Sequence, residues 1–188
     1  MEQDTRTDEA LATLVQAGDH AALAVLVHRY EAPLRRYGRK FLVTQNDLDD
    51  VLQEVFIKAY QNIQSFDSAR RFSPWIYRIA HNEFVSFLRR TTGERVGAVD
   101  LDTIAPWLVA REDATAYAEG EEMKRVLDVC LRELAPKYRE PLVLRYVEDL
   151  SYEEIADVMQ VPRATVGVRI TRGKVLARAI CERLQYHL

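Results

Sequence analysis

Apolar side chains recur every three or four positions along most of this chain, from Asp8 to Leu88 and again from about Glu119 to Leu184, and β-branched alternation is nearly absent. That spacing lays one apolar stripe along one side of a helix, so it predicts an all-α protein. Between the two blocks, residues 91–118 contain glycines, a proline and only weak periodicity, which predicts an extended linker. The expected organisation is two helical domains, 1–90 and 119–188, joined by a linker over 91–118. The linker region is acidic, with eight Asp or Glu and two Arg from Glu94 to Glu122. Such a run fits a solvated spacer and equally a segment lying in a positively lined channel.

The sharpest local signal lies from Ser151 to Lys174. Ser151 followed three residues later by Glu154 forms a capping box, which predicts a helix start, with Ile155, Ala156 and Met159 on its inner face. A turn at Gln160 and Val161 leads to Pro162, which suits a first helical turn, so a second helix is expected from about Arg163. On that helix Val166, Ile170, Gly173 and Ala177 share a small apolar side, and Val168, Thr171, Arg172 and Val175 share the opposite one, flanked by Arg169 and Lys174. From Arg163 to Arg183 there are six Arg or Lys against one acid, Glu182, in a chain of net charge −3. A one-sided field of this kind suits DNA phosphates, and the pattern fits a DNA-binding helix-turn-helix better than a helical hairpin with a solvated basic face.

The first block holds two further candidates. From Asp47 to Ile63, Leu48, Val51, Leu52, Val55, Ala59 and Ile63 make a buried stripe, while Asp49, Asp50, Gln53, Glu54 and Gln61 make the outer face acidic and amide-rich, with Lys58 its one cation. Solvation and docking to a basic partner both account for that face. Farther on, Ser73 is expected to cap a helix whose first residue is Pro74. Around it Phe66, Phe72, Trp75, Tyr77, Phe84 and Phe87 interleave with Arg70, Arg71, Arg78, Arg89 and Arg90, the mixture that holds single-stranded nucleic acid, and Asn82 adds an amide able to read a base edge. Most aromatics at helical spacing are core, however, so Trp75, Ile76, Ile79 and Phe87 are expected to be buried, and Arg70, Arg71, Arg78 and Asn82 are the functional candidates.

Composition narrows the class. With 188 residues, 48% hydrophobic and 29% charged, the chain is long enough for two small domains. No run approaches the roughly 18 apolar residues that span a membrane, and the start MEQDTRTDEA lacks the features of a signal peptide, so a cytoplasmic protein without membrane insertion is expected. Cys130 and Cys181 are far apart and in no CxxC pattern, which predicts neither a disulfide framework nor a zinc site, with Cys130 in the core. His20, His28, His81 and His187 show no metal-ligand spacing. No phosphate loop, nucleophile elbow or paired catalytic carboxylates appear, so neither an enzyme nor a cofactor is expected.

Taken in order, the acidic helix, the aromatic-basic helix and the carboxy-terminal helix-turn-helix resemble the extracytoplasmic-function sigma factors of bacterial RNA polymerase over nearly the whole length. DLDDVLQEVFIKAY is similar to the segment that docks on the clamp helices of the polymerase's largest subunit, which implies polymerase contacts at Asp49, Asp50, Gln53 and Glu54. FSPWIYRIAHNEFVSFLRR is similar to the element that melts and reads the minus-ten DNA, implying roles for Arg70, Arg71, Arg78, Asn82, Arg89 and Arg90. The region from Leu134 to Lys174 is similar to the domain that reads the minus-thirty-five element, implying duplex contacts from Arg163, Thr165, Gly167, Val168, Arg169, Thr171, Arg172 and Lys174. The family often has Lys or Arg followed by Ser where this chain has Gly167-Val168, and glycine in a turn where it has Gln160. Pro141 inside the helix expected over 136–147 should bend it. The resemblance also implies a contact with the flap of the second-largest subunit, a linker threading toward the active-site cleft, and control by an anti-sigma factor, often membrane-anchored. The competing reading is a stand-alone helix-turn-helix regulator that binds duplex operators as a dimer.

Overall fold

The computed structural model describes residues 4–39, 44–92, 129–131 and 133–184, and every regular element among them is helical. The linker expected over 91–118, apart from its first two residues, lies outside the described residues. The helices fall into two units, the first holding α1 (Asp8–Gln16), α2 (His20–Gly38), α3 (Gln45–Asn62) and α4 (Phe72–Thr92). The second holds α5 (Pro136–Tyr146), the start of α6 (Tyr152–Met159) as far as Ala156, and α7 (Arg163–Arg183).

In the first unit each start has a chemical cause. Thr7 Oγ1 accepts the Ala10 N–H, Asp19 Oδ1 accepts from Ala21 and Ala22, and Thr44 Oγ1 accepts from Asp47, so each cap satisfies amides that the first turn leaves without a helical partner. Gly18, at φ +95°, makes the turn between α1 and α2 in a backbone region that side chains disfavour. Leu11, Leu34, Leu48, Val55, Ile76 and Phe84 fill the core, where Tyr37 meets Tyr77 edge-on at 5.2 Å and Phe84 at 5.7 Å. Gly38 lets α2 approach closely: a Cβ there would lie 2.5 Å from Leu48 Cδ1 and 2.6 Å from Phe84 Cζ.

Most of the aromatics of α4 and the loop before it are core, as helical spacing implies, but not the ones expected deepest. Phe66, Phe72, Tyr77 and Phe84 are buried, so they are core and offer no stacking surface, whereas Trp75, Ile79 and Phe87, expected inside, are half-buried. The helix also begins at Phe72, ahead of the cap expected at Ser73. The Phe72 N–H is taken by Glu9 Oε1 at 3.0 Å, from a residue 63 positions earlier.

In the second unit α5 is buried on most sides, and the helix runs on through Pro141. A Cβ at Gly173 would meet Leu142 Cδ1 at 3.0 Å and the Tyr138 carbonyl at 3.1 Å, so glycine sets the close packing of α7 on α5. Cys130 and Cys181, expected to be unlinked, form a disulfide with Cα atoms 5.6 Å apart, inside the range that a bridge requires. Both are buried, with Ile180 and Leu184 packed against them. Residue spacing was silent on this pair because the fold alone brings residues 129–131 against the end of α7.

Candidate nucleic-acid and polymerase interfaces

The helix-turn-helix is built as local chemistry dictates. Glu154 Oε2 accepts the Ser151 N–H at 2.7 Å and Ser151 Oγ accepts the Glu154 N–H at 3.2 Å, closing the capping box reciprocally. Gln160 takes φ +54° at the turn, and the Val161 N–H reaches back to the Ala156 carbonyl at 3.2 Å, so this left-handed position is held by a glutamine where glycine is easier. Pro162 then accepts from Thr165 at 2.8 Å and from Val166 at 3.2 Å, starting α7 at Arg163.

Helix α7 sorts its residues as its sequence requires. Val166, Ile170, Gly173 and Cys181 are buried, whereas Val168, Thr171, Arg172, Lys174 and Val175 are exposed on the other side. Thr165, Gly167 and Arg169 are half-buried at the margin. Two of the candidate cations are already engaged within the fold. Arg163 pairs with Glu153 and lies over the Tyr152 ring, and Lys174 Nζ sits 4.8 Å from the centre of the Tyr146 ring. A backbone hydrogen bond, and next Arg163, hold the Glu153 carboxyl below its ordinary pKa. At Gly167 a Cβ would meet only Tyr152 at 3.8 Å, so the missing cation reflects no steric bar. On α6 the inner face is Ile155, Val158 and Met159. Val158 joins the expected Ile155 and Met159 there, whereas Ala156 is half-buried.

In the first unit α3 buries Leu48, Val51, Leu52, Val55 and Ala59 and exposes Asp49, Asp50, Gln53 and Glu54. Two pairings sharpen the outer face. Lys58, its one cation, turns to Glu83 Oε1 of α4 at 2.7 Å, and Asp49 is taken by Arg35 of α2. Asp49, and next Glu31, raise the Arg35 pKa, keeping that guanidinium charged. The exposed remainder centres on Asp50, Gln53 and Glu54, and it continues into Ile57 (40% exposed) and Tyr60 (43% exposed). Sequence reasoning missed these two, although helical spacing already put Ile57 one turn beyond Gln53.

On α4 the side chains of Arg78, Asn82, Arg89 and Arg90 are exposed. Arg78, Asn82 and Arg89 follow one another at spacings of four and seven residues, close to whole turns, so they lie along one side of the helix, and Arg71 directly precedes its first residue. At the head of this row is the loop from Asp67 to Phe72. It folds on Asp67, whose carboxylate accepts the Ala69 N–H at 3.0 Å and whose carbonyl accepts the Arg70 N–H at 2.9 Å. Arg70 and Arg71 are exposed on it, and the half-buried Trp75 packs beside its base at 5.3 Å from both Phe66 and Phe72. Cations and an amide in line beside an aromatic edge can hold a backbone and read a base.

Among the described residues no cluster of His, Cys, Asp and Glu is arranged to hold a metal, and no helix is long and apolar enough to cross a membrane.

Comparison with known proteins bears on the family and the fold. Residues 26–94 match the model of sigma-70 region 2, and residues 124–176 match that of sigma-70 region 4. These two regions in one chain define a sigma factor, a transcription initiation subunit that binds RNA polymerase and promoter DNA. The chain is 36% identical to the ECF RNA polymerase sigma-E factor of Haemophilus influenzae over 89% of its own length and 92% of that protein. It is 33% identical to the ECF RNA polymerase sigma factor SigW of Bacillus subtilis over 87% of this chain and 91% of that one. The structure of CnrH in complex with the cytosolic domain of CnrY superimposes with a TM-score of 0.67 at 27% identity, covering 94% of this chain and 97% of that chain. The chain belongs to the ECF sigma factors of RNA polymerase. A stand-alone operator-binding regulator is thereby disfavoured, since such a protein has no need of region 2.

Proposed function

We propose that the three exposed surfaces divide the work of initiation. Residues 1–90 act as the polymerase-docking and minus-ten domain and residues 119–188 as the minus-thirty-five domain, joined by the acidic linker over 91–118, which threads toward the active-site cleft. Asp50, Gln53 and Glu54 of α3, with Asp49 at the edge, meet the clamp helices of the largest subunit, and the second domain meets the flap of the second-largest. Helix α7 enters the major groove with Val168, Thr171 and Arg172 toward base edges, while Arg163, Thr165, Gly167, Arg169 and Lys174 lie along the backbone. Arg70, Arg71, Arg78, Arg89 and Arg90 hold the minus-ten strand, and Asn82 reads one base that has left the stack. An anti-sigma factor, membrane-anchored or not, holds the protein inactive. Family membership supports that partner, as does the capture of the similar CnrH with a domain of another protein.

The observation that carries the minus-ten assignment is the exposed row Arg71, Arg78, Asn82 and Arg89 running from the ordered loop along α4. Asn82→Ala is expected to leave polymerase binding and duplex minus-thirty-five binding unchanged, and to reduce open-complex formation and affinity for single-stranded minus-ten DNA. Premelting the bubble should restore only part of the activity, because the base contact stays absent. Wild-type opening of linear promoters by the variant, with unchanged base preference, would remove Asn82 from the site. For α7, Arg172→Ala should weaken minus-thirty-five binding by about 1–3 kcal/mol if Arg172 meets a base edge. Should it meet only phosphate, the loss will be uniform across sequences and the salt slope will fall by about one. A titration in which neither quantity moves would take this face out of the groove.

A further inference from the structure

Helix α1 precedes the stretch that matches sigma-70 region 2, which starts at residue 26, so that match assigns it no task. Its side chains nevertheless grip both ends of the loop from Asp67 to Phe72. At the entry, the Gln16 side-chain amide donates to the carbonyls of Ile63 at 2.8 Å and Phe66 at 2.9 Å, and Gln64 Nε2 donates back to the Gln16 carbonyl at 2.9 Å. At the exit, Glu9 Oε1 accepts the Phe72 N–H at 3.0 Å, the amide that opens α4. Glu9 and Gln16 are seven residues apart, two helical turns, so they project from one side of α1 with their backbones about 10 Å apart. Between the two grips the loop is closed at its base, where the Phe66 and Phe72 rings meet edge-on at 5.3 Å.

The same helix also braces the start of α4 through Tyr30. Asp8 Oδ2 accepts the Tyr30 hydroxyl at 2.6 Å, Asp8 Oδ1 holds Arg29 Nη1 at 2.5 Å, and the Tyr30 ring lies edge-on to Phe72 at 5.4 Å. Burial, and next Asp8, push the Tyr30 phenol far above its ordinary pKa, so it remains a donor. A loop of six residues carrying Arg70 and Arg71 would sample many conformations if tethered only by its own chain, and fixing it costs backbone entropy at every residue. With both ends held by one rigid helix, that ordering is complete before DNA arrives, which is the condition for a reader to discriminate bases.

We infer that Glu9 and Gln16 are positioning residues for minus-ten recognition, a two-point clamp by which α1 sets the span and tilt of the base-reading loop. The inference rests on the reading of that loop given above.

The two contacts have opposite polarity, and this makes the test specific. Glu9→Gln keeps an oxygen that accepts the Phe72 N–H, so it should preserve function, whereas Glu9→Ala should not. Gln16→Glu turns a donor of two hydrogen bonds into an acceptor facing two carbonyls, so it should fail despite its nearly identical shape. Holoenzyme reconstituted from core polymerase and full-length variants is assayed on fork-junction promoters with each base at each minus-ten position, with Asn82→Ala in parallel. Glu9→Ala and Gln16→Glu are expected to lower selectivity for the preferred base about tenfold, the loss of roughly one buried hydrogen bond, with Glu9→Gln near wild type and polymerase affinity unchanged. Hydrogen exchange at the loop amides and at Phe72 should quicken in the same two variants and not in Glu9→Gln.

A role in packing alone predicts that both isosteric changes, Glu9→Gln and Gln16→Glu, are harmless, and that result overturns the clamp. Loss of selectivity in Asn82→Ala with none in Glu9→Ala or Gln16→Glu also overturns it, leaving the loop reading in place. Unchanged selectivity in Asn82→Ala as well overturns the loop reading, and the clamp's task falls with it. If polymerase affinity drops in step with selectivity, the effect is general destabilisation and the clamp is rejected.

Discussion

Asp50→Lys combined with Glu54→Lys is expected to weaken binding to core polymerase by about 100-fold or more while leaving the helical content and melting temperature of the protein unchanged. Both residues are exposed on α3, one turn apart, and opposite the buried Leu48, Val51, Leu52 and Val55, so neither supports the core. The face they dominate is more acidic than its composition suggests, because Lys58 is turned to Glu83. Reversing two charges sets cations against a basic partner, and like-charge juxtaposition at an interface costs several kcal/mol, where each 1.4 kcal/mol is about tenfold in affinity. Competition of labelled wild-type and variant protein for core enzyme measures the effect. Added salt should weaken the wild type more than the variant, since the attraction being screened is present only there. A folded double variant that binds as tightly as wild type would end the docking assignment.

The second large effect concerns stability. Replacing both cysteines, Cys130→Ala with Cys181→Ala, is expected to destabilise the α5–α7 unit by up to about 4 kcal/mol. The bridge closes a loop of 51 residues, and loop-closure entropy for that length lies between the roughly 3 kcal/mol of a 15-residue loop and the 4.7 kcal/mol of a 100-residue loop. Two small cavities beside Ile180 and Leu184 add to the loss. Urea unfolding followed by circular dichroism, with and without dithiothreitol, separates the contributions: reductant should lower the wild-type midpoint toward that of the variant and leave the variant unmoved. Equal midpoints for the oxidised and reduced wild type would show that the link contributes nothing to this unit.

Much of the molecule was legible in the chain because the interactions that specify it are local. The capping box at Ser151 and Glu154 joins residues three apart, Pro162 acts on its own backbone, and the division of α7 into Val166, Ile170 and Gly173 against Val168, Thr171 and Arg172 follows from helical pitch alone. The acidic outer face of α3 was visible for the same reason. Helical pitch also says which side of a helix is polar without knowing what covers the other, and for this reason the three candidate surfaces could be placed before any packing was known.

Where the reading failed, the deciding partner was distant. Ser73 is a natural cap by type, yet α4 starts at Phe72 and Glu9, 63 residues away, takes the amide. Spacing puts Trp75, Ile79 and Phe87 in the core, yet they are half-buried, while Phe66, Phe72, Tyr77 and Phe84 fill it where α1 and α2 pack against them. Asp49 belongs by position with the docking acids yet is held by Arg35, and Lys58 falls by spacing on the outer face yet is held by Glu83. Cys130 finds Cys181 only when residues 129–131 meet the end of α7. The sequence by itself determined where α6 and α7 start and which side of each helix is polar, since both depend on neighbours within about one turn. Tertiary structure alone decided which of those polar groups are consumed inside the fold and which stay on its surface, because that depends on the long-range packing that brings α1 against the loop and α2 and α4 against α3.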